Sequence, residues 1–456
     1  RVQQDFDEGN TVVGGIFTNV KRFNQQGNGL EYLHDNAQSG GVDITQNLWD
    51  RKYSVNAKIG MSRVEGTEGA LYRTQTAFRR SFQRTDNDYR DVDSTLTVLT
   101  GSFAALTFGK QSGKLNWTVG SNYRSPGLEL NDIGFLQQTD NINNWVWARY
   151  QINDKTKLFR WQNYSIYHEQ NYDFGGTRTS INANMNFNFQ FHNFWGFETG
   201  FFTSGESISN ADLRGGPSIT YPGGTEVWFW VGTNQQKKIR VSYSNWFFQG
   251  KDDFNDSMGF NFNLTVRPTD AFTFSLSPSV SFRDNTLQYV GNDSEEDGIY
   301  LLSRIAQNTY SMSIRANYNV TPNLTIEFWG QPFIASGEFS EFKRVTESNA
   351  TDLENRFLHI EDTQITYDPA ADVFNVDENN LTYSFGNPNF NSVEFRSNMV
   401  LRWEYIPGST LFLVWANNGS YNDSSDRNEF RNLRGELNGL KGTNTFLIKL
   451  AHRFIR

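Results

Sequence analysis

The chain has 456 residues, of which 37% are hydrophobic and 15% aromatic, and its formal net charge is −9. A transmembrane helix needs about 18 or more consecutive apolar residues, and no run in this sequence approaches that length, so a helical membrane protein is excluded. The acidic charge argues against nucleic-acid binding, which requires a concentrated basic surface, and the absence of cysteine excludes disulfides and thiolate chemistry.

Short breaks alternate with long polar segments along the whole chain. The short breaks, rich in turn-forming residues, fall near 7–10, 49–51, 111–113, 153–156, 192, 234–236, 267–271, 321–323 and 406–408. Tight turns at one rim and long loops at the other are typical of outer-membrane barrels. The sequence therefore predicts a large, all-β, antiparallel transmembrane β-barrel over residues 1–456. Its long exterior loops are expected near 64–93, 283–307, 336–391 and 417–444.

The first of these loops contains a basic stretch between Gly69 and Arg84. Near-helical spacing relates Ala70, Leu71, Thr74, Phe78 and Phe82. The positive charges are Arg73, Arg79, Arg80 and Arg84. Folded into the lumen, this loop would form a cationic constriction, an arrangement by which charged rings select solutes. A short helix outside the barrel is the alternative.

Three aromatic clusters lie near predicted strand ends. They are Trp145 with Trp147, Trp228-Phe229-Trp230 and Trp246-Phe247-Phe248. Because amphipathic rings favour the membrane–water interface, these clusters predict interfacial girdles. Packing in the core of a soluble protein is the alternative.

The segment from Ile181 to Phe191 alternates between apolar and amide side chains. The amides are Asn182, Asn184, Asn186, Asn188 and Gln190. A period of two predicts a strand with two unlike faces. We expect the amides to face the lumen, where they suit water or sugar hydroxyls. A lumen that is merely wetted, or one sealed by protein, is the alternative.

Residues 258–282 predict one membrane hairpin. Even-numbered positions are apolar in both arms, and the turn residues 267–270 separate them. Each arm matches the roughly 9 to 11 residues of a transmembrane strand. Nearer the C-terminus, Glu394, Arg396, Arg402 and Glu404 are expected to add charge to the lumen-facing side.

Counting strands raises a question of closure. About 19 strands are predicted, within the range of such barrels. The first and last of them should run in the same direction, which cannot close an antiparallel barrel. We therefore expect an odd number of further strands before Arg1, and the chain is interpreted as an N-terminally incomplete barrel.

Family motifs are spread over most of the sequence. They are Arg1-Val2-Gln3, Asp5-Phe6, Gly9-Asn10-Thr11-Val12-Val13-Gly14-Gly15, Ser62-Arg63-Val64-Glu65-Gly66, Arg73-Thr74-Gln75-Thr76, Phe82-Gln83-Arg84, Arg124-Ser125-Pro126-Gly127, Glu129-Leu130-Asn131-Asp132-Ile133-Gly134-Phe135, Leu213-Arg214-Gly215-Gly216-Pro217 and Leu411-Phe412-Leu413-Val414-Trp415. On these motifs the chain resembles an outer-membrane β-barrel domain family of unknown function that is common in Bacteroidota. The resemblance covers nearly the whole chain.

The resemblance implies that related proteins bind carbohydrate through a separate module. Members of that family usually carry a family 9-like carbohydrate-binding module, followed by the first barrel strands, and we expect neither part in this chain. None of the module's sugar-binding residues can be assigned to a position here. No catalytic residues are established for the family, so none is transferred.

Few residues point to catalysis or to a metal. The five histidines, His34, His168, His192, His359 and His452, show no metal-binding spacing. Ser165 lies three residues before His168, a weak candidate for a nucleophile and base. Acidic groups that could hold Ca²⁺ are Asp86, Asp88, Asp91 and Asp93; Asp293, Glu295, Glu296 and Asp297; and Asp423 with Asp426. Solvated loops are the preferred interpretation of these groups, and no cofactor is expected.

Two hypotheses for function stay open. The first is a channel or transport-related barrel for polar solutes such as saccharides, because a barrel of this many strands is too wide for side chains alone to fill. The alternative is a non-conducting anchor or scaffold for a carbohydrate-binding module or a larger outer-membrane complex. A barrel-borne hydrolase is a distant third, so an enzyme is not expected. The expected partners are outer-membrane lipid, saccharides, and other outer-membrane or lipoprotein subunits, with no nucleic acid.

Overall fold

One antiparallel sheet runs through almost the entire chain. The computed structural model describes residues 1–23, 27, 29–292, 298–378, 381–425 and 430–454. In chain order, the strands of the first half are β1 Val2–Phe6, β2 Thr11–Lys21, β3 Asn36–Leu48, β4 Tyr53–Glu65, β5 Val98–Lys110, β6 Leu115–Arg124, β7 Asn141–Ile152, β8 Phe159–Tyr172, β9 Arg178–Phe191, β10 Gly196–Ser204, β11 Ser207–Ser209, β12 Ile219–Tyr221 and β13 Gly224–Gly232.

The strands of the second half include the longest in the molecule. They are β14 Ile239–Gly250, β15 Asn255–Thr269, β16 Phe272–Asn292, β17 Tyr300–Thr321, β18 Leu324–Val345, β19 Phe357–His359, β20 Ile365–Asp368, β21 Val373–Asp377, β22 Thr382–Gly386, β23 Phe390–Ile406, β24 Ser409–Asp423 and β25 Thr443–Ala451. The helices are α1 Glu68–Gln75, α2 Phe430–Gly439 and the 3₁₀ turns Asp7–Gly9, Lys251–Asp253 and Leu353–Arg356.

Strands next to one another in sequence pair with one another around the wall. β1 to β10, β13 to β18 and β23 to β25 form this wall, and β19 pairs with the end of β18. The small sheets β11–β12 and β20–β22 lie in the loops. Nineteen described strands therefore build the wall, which confirms the predicted antiparallel barrel and its strand number. The nine predicted tight turns all fall between paired strands or at a strand end.

The two ends of the wall run in the same direction. Among the described residues β1 pairs only with β2, and β25 pairs only with β24. Every ladder between them is antiparallel, so an odd number of strands leaves the first and last parallel. The expected additional strands stay a prediction.

Apolar side chains on one face of the wall are exposed. Ile166, Met185 and Phe201 form one cross-strand row and are 53%, 47% and 40% exposed. The alternation that predicted the strands sends these residues to one face and the polar residues to the other. Hydrocarbon is the environment in which a continuous apolar band is stable. We call this lipid-facing side the outward face and the opposite side the inward face.

Aromatic rings surround the tight-turn end of the outward face. Trp49 contacts Tyr53 with ring centroids 5.0 Å apart, and Phe108 contacts Trp117 at 5.4 Å. Rings of this amphipathic kind are favoured where hydrocarbon meets water. They mark the turn-side boundary of the membrane.

Three strands continue beyond the membrane on the loop side. Most of the predicted loop 283–307 is strand, because β16 extends to Asn292 and β17 begins at Tyr300. The outward side chains of this extension are ion-paired rather than apolar: Arg304 lies 2.6 Å from Asp284 and 2.8 Å from Glu341. The hydrogen-bonded ladder continues where the apolar alternation ends, which is why the sequence pattern indicated a loop.

The two α-helices differ in position. Thr67 caps α1, with its hydroxyl accepting a hydrogen bond from the Ala70 amide at 3.1 Å. Helix α2 packs on the outward face, where the ring of Phe430 lies 4.6 Å from that of Tyr310.

None of the helices in the described ranges is long and apolar enough to cross a membrane.

Candidate functional site

Indole rings lie on glycine residues along the inward face. Gly120, Gly200 and Gly259 each sit beneath a ring on a neighbouring strand, and a Cβ atom at any of them would collide with it. The rings belong to Trp145, Trp228 and Trp246. Register places these tryptophans on the side opposite the lipid-facing rows. The predicted interfacial position is therefore wrong for them, because alternation decides the face of the wall that a ring occupies.

The predicted amide ladder occupies the same inward face as these rings. Asn182, Asn184, Asn186, Asn188 and Gln190 all lie on the side of β9 opposite Met185. One cross-strand row joins Asn186, Gly200, Trp228, Trp246 and Gly259. The next row joins Asn188, Glu198, Trp230, Ser244 and Asn261. Amides and indoles are thus brought together over five strands, from residues up to 75 positions apart in sequence.

Part of the ladder is already hydrogen-bonded within the wall. The Asn182 side chain donates to Glu169 at 3.0 Å, and the Tyr167 hydroxyl donates to the same carboxylate at 2.6 Å. The Asn186 amide donates to Asn184. These bonds fix the orientation of the amides towards the lumen.

The two predicted lumen arginines near the C-terminus are ion-paired. Register places Arg396 and Arg402 on the inward face of β23. Arg396 contacts Glu394 at 2.7 Å, and Arg402 contacts Glu404 at 3.1 Å. Each pair is locally neutral, so these strands add polarity to the lumen without adding net charge.

The first long loop folds against the inward face. Leu71 of α1 and Phe82 are buried in a cluster with Val64 and Leu99. Register puts Val64 and Leu99 on the side opposite exposed Ile59 and Leu106. The loop therefore enters the mouth of the barrel. This is the position that the hypothesis of a loop folded into the lumen requires, and it differs from that of a helix outside the barrel.

A second inward segment, residues 125–140, packs beside this loop. Gly101 of β5 and Gly127 face one another so closely that a Cβ atom on either would collide with backbone. The Glu129 amide donates to the Ser62 hydroxyl at 2.9 Å. Both glycines are needed for backbone-to-backbone approach.

Four predicted constriction arginines meet different partners. Arg80 is buried and lies 2.8 Å from Glu129, and Arg84 is buried 3.1 Å from Asp86. Arg73 stacks over the Tyr32 ring at 5.0 Å, and Arg79 stacks over Phe78 at 5.4 Å. Two of the charges are thus compensated by carboxylates. The selective constriction itself stays a prediction.

The buried Arg80–Glu129 pair is electrostatically strong. Burial would raise the pKa of Glu129, but the Arg80 charge and hydrogen bonds from Asn131 hold it below its usual value. Burial also lowers the pKa of Arg80, although the neighbouring Glu129 opposes that shift. A guanidinium–carboxylate pair of this kind is costly to break because the surviving charge stays buried.

His34 and Asp132 tie the same loops together. His34 Nδ1 lies 2.7 Å from Asp132 Oδ2, and His34 Nε2 lies 2.7 Å from the Thr74 hydroxyl. Arg22 adds a 2.7 Å ion pair to Asp132. Asp132 and Thr74 stood in family motifs, but no local pattern indicated that these four residues would meet.

Loops from three separated parts of the wall meet over the mouth. The Ser218 amide donates to Asp86 at 2.9 Å, and the Asn349 side chain donates to the Ser218 hydroxyl at 3.0 Å. Arg356 donates to the Thr220 carbonyl at 2.8 Å. The loops leave the wall between β4 and β5, β10 and β13, and β18 and β23. Side-chain bonds therefore join opposite sides of the barrel mouth.

A cavity of about 1050 Å³ lies among these loops and the tops of the strands. Its lining includes Arg79, Arg214 and Arg283, with the rings of Tyr221 and Tyr289. Of the arginines that line the cavity, Arg79 and Arg80 belong to the basic stretch that the sequence indicated for its charge. Arg214 stood in a family motif, and Arg283 followed the predicted hairpin without a signal of its own.

The described part of the chain does not bring the two catalytic candidates, Ser165 and His168, together. Ser165 and His168 lie on opposite faces of β8, because Ser165 pairs with inward Asn186 while His168 pairs with outward Ala183. Within the described ranges, no three His, Asp or Glu side chains are arranged to hold a metal ion. The acidic positions 293–297 and 426 lie outside the described residues. Calcium binding in the exterior loops stays a prediction.

A wall of antiparallel strands with an apolar outward band and tight turns at one end defines an outer-membrane β-barrel protein. Residues 2–455 match the family described as "Domain of unknown function (DUF5916)". The chain belongs to this family, as the motif resemblance implied.

The solved structures to which the chain is similar include an iron transporter and a siderophore receptor. The FrpB iron transporter from Neisseria meningitidis is 10% identical, with 90% of this chain and 73% of that chain covered and a TM-score of 0.44. The siderophore receptor PirA from Acinetobacter baumannii is 8% identical, with 96% and 73% covered and a TM-score of 0.41. The chain matches none of the curated proteins with which it was compared.

Proposed function

We propose that this protein is a transport-related outer-membrane barrel for polar solutes, and that saccharides are among them. The observation that carries the proposal is the alignment of amides and indoles in the same inward rows. Asn186 lies in one row with Trp228 and Trp246, and Asn188 lies in the next row with Trp230.

This surface has the chemistry that sugars require. Amide groups both donate and accept hydrogen bonds, which matches the hydroxyl groups of a sugar. Indole rings supply flat apolar contact area for the C–H face of a sugar ring. Arg396 and Arg402 are ion-paired, so this part of the inward face carries no net charge that would favour an ionic solute over a neutral one.

The loops over the mouth make the proposed pathway a gated one. Ser218 connects to both Asp86 and Asn349, and we expect these bonds to separate when a solute enters. Loop opening of this kind is a common controlling step in ligand entry. The proposed barrel therefore differs from a permanently open pore.

Planar-bilayer conductance of the purified full-length protein tests the proposal. We expect stepwise conductance that maltooligosaccharides reduce, and weaker blocking in Trp228→Ala and Trp246→Ala. Trp49→Ala, in a turn on the outward face, is the control. Maltooligosaccharides should reduce its conductance as much as they reduce that of the unsubstituted protein. Correctly folded protein that never conducts, or blocking that both inward substitutions leave unchanged, contradicts the proposal.

A non-conducting anchor is the second candidate function. The observation favouring it is that loops from three parts of the wall are hydrogen-bonded to one another across the mouth. In that role the barrel would hold a carbohydrate-binding module, or other outer-membrane or lipoprotein subunits, at the surface. The anchor role would be supported over transport if the protein showed no conductance in bilayers and such a subunit co-purified with it.

A further inference from the structure

We propose that the cavity at the barrel mouth binds a short oligosaccharide that carries carboxylate groups. This inference rests on the proposed function and specifies the solute class that is captured first. Its basis is the meeting of three guanidinium groups, none of which forms an ion pair with a described residue, with aromatic rings and amides in one cavity of about 1050 Å³.

The cavity lining has an excess of positive charge. Arg79, Arg214 and Arg283 line it, and none of the three forms an ion pair with a carboxylate among the described residues. Guanidinium forks match the planar geometry of carboxylates and bind them with two parallel hydrogen bonds. An anionic ligand therefore finds partners that the protein itself leaves available.

The two acidic residues of the lining are engaged elsewhere. Asp140 accepts hydrogen bonds from the Tyr89 hydroxyl and from the Phe174 amide. Asp212 lies near Tyr221, where burial first and this carboxylate second raise the pKa of the Tyr221 hydroxyl. Neither Asp140 nor Asp212 forms an ion pair with a described arginine of the lining, so both leave the guanidinium groups available.

The arginines are held in place by contacts that leave donors available. Arg79 stacks over the Phe78 ring at 5.4 Å, and one of its terminal nitrogens donates to the Leu136 carbonyl at 3.5 Å. Arg214 stacks over the Tyr289 ring at 4.7 Å, and Arg283 donates to Asn255 at 3.4 Å. Stacking restrains a guanidinium without consuming its N–H groups.

The remaining lining fits a chain of sugar rings. Tyr289, Phe254 and Phe78 provide ring faces, while Gln137, Gln138 and Gln288 provide amide donors and acceptors. Small-ligand pockets typically measure about 300 to 1,000 Å³. A cavity of about 1050 Å³ therefore accommodates an oligosaccharide of a few rings rather than a single sugar.

Isothermal titration of the full-length protein in detergent tests this site with trigalacturonic acid and maltotriose as probes. We expect the acidic trimer to bind at least about tenfold more tightly, and Arg214→Gln/Arg283→Gln to remove that preference. Loss of one charge-assisted contact corresponds to about tenfold in affinity. Arg267→Gln, at a tight turn on the opposite rim, is the matched control and should bind as the unsubstituted protein does.

The outcomes separate this inference from the proposed function. Three results would overturn the acidic-oligosaccharide site. They are equal affinity for both probes, no binding of either probe, and a preference for the acidic probe that survives in the double variant. Conductance blocked by neutral maltooligosaccharides would still support transport in those cases. Conversely, tight trigalacturonate binding by a barrel that never conducts supports the cavity and overturns transport.

Discussion

Glycine sets how closely the indole rings approach the inward face. Gly259 lies beneath Trp246, and Gly200 lies beneath Trp228. A methyl group at either position would displace a large ring in a closely packed row. These glycines are therefore packing residues rather than flexible points of the strands.

Gly259→Ala tests this packing role. We expect a loss of about 1 to 3 kcal/mol in unfolding free energy, because the added methyl forces the Trp246 ring out of position. Denaturant unfolding of the folded barrel provides the measurement. Gly291→Ala, where a Cβ atom meets open space, is the control. An equal effect of the two substitutions would show that strand glycines matter for backbone reasons alone.

The buried Arg80–Glu129 pair is the second residue-scale test. Glu129→Gln should destabilise the loop cluster by about 3 to 5 kcal/mol, because Arg80 would keep a buried, uncompensated charge. Arg80→Met combined with Glu129→Gln should recover much of that loss. Protease sensitivity of the loop containing α1 is the measurement. If the double variant is no more resistant than Glu129→Gln, the pair does not act as a unit.

Acid should loosen the same loops. Burial would raise the pKa of Asp132, but hydrogen bonds and charges from His34 and Arg22 hold it below its usual value, and Glu129 is likewise lowered. A carboxylate with a lowered folded-state pKa stabilises the fold at pH values above its unfolded pKa, about 4. That stabilisation is lost as pH falls through the folded value.

Hydrogen exchange of residues 66–97 at pH 7 and at pH 3 measures this effect. We expect faster intrinsic-rate-corrected exchange at pH 3. Asp132→Asn should exchange faster already at pH 7 and respond less to acid. Identical protection at both pH values in the unsubstituted protein would contradict the assignment.

At the scale of elements, the short helix α1 determines how the first loop enters the mouth. Thr67 caps the helix, and Leu71 anchors it in the inward cluster. Its eight residues are too few to be stable alone, so packing against the wall is what maintains the helix. The loop is thus an inserted element held by a cap and an apolar contact.

Thr67→Ala tests the cap. We expect a loss of about 1 kcal/mol of local stability, because the Ala70 amide loses its acceptor. Thr67→Asp keeps an acceptor and should behave as the unsubstituted protein does. Exchange of the α1 amides is the measurement, and equal protection in all three proteins would show that the cap contributes nothing.

At the scale of the whole molecule, the wall and the loops have different roles. The inward face of the wall carries amides and indoles, and at one end hydrogen bonds join loops from three parts of the wall. The cavity lies where the two meet. In the transport that we propose, a solute is captured at the mouth and then passes along the inward rows.

Weakening the cross-mouth bonds should open the barrel. Asp86→Ala combined with Asn349→Ala removes both side-chain partners of Ser218, so we expect a higher open probability in bilayers. Asn375→Ala, at an exposed position of the long loop between β18 and β23, is the control. Unchanged open probability in the double variant would show that these bonds do not gate the pore.

The sequence by itself determined the strands, the tight turns and the two faces of the wall. These features depend on alternation and turn chemistry, which are local and can be recognised in a few neighbouring residues, as in residues 258–282. The same pattern predicted that the second arm of this hairpin ends at Phe282, whereas β16 continues beyond it. The reason is that the charged extension beyond the membrane has no apolar alternation.

Only the tertiary structure decided which side chains meet. Trp228 lies on Gly200, and Asp132 meets His34, through strand register and loop packing between residues far apart in sequence. A one-residue change in register would move every ring to the other face, so the indole rows could not be predicted from the clusters themselves. The mouth cavity is likewise a product of loop convergence, since Arg79, Arg214 and Arg283 share no local pattern.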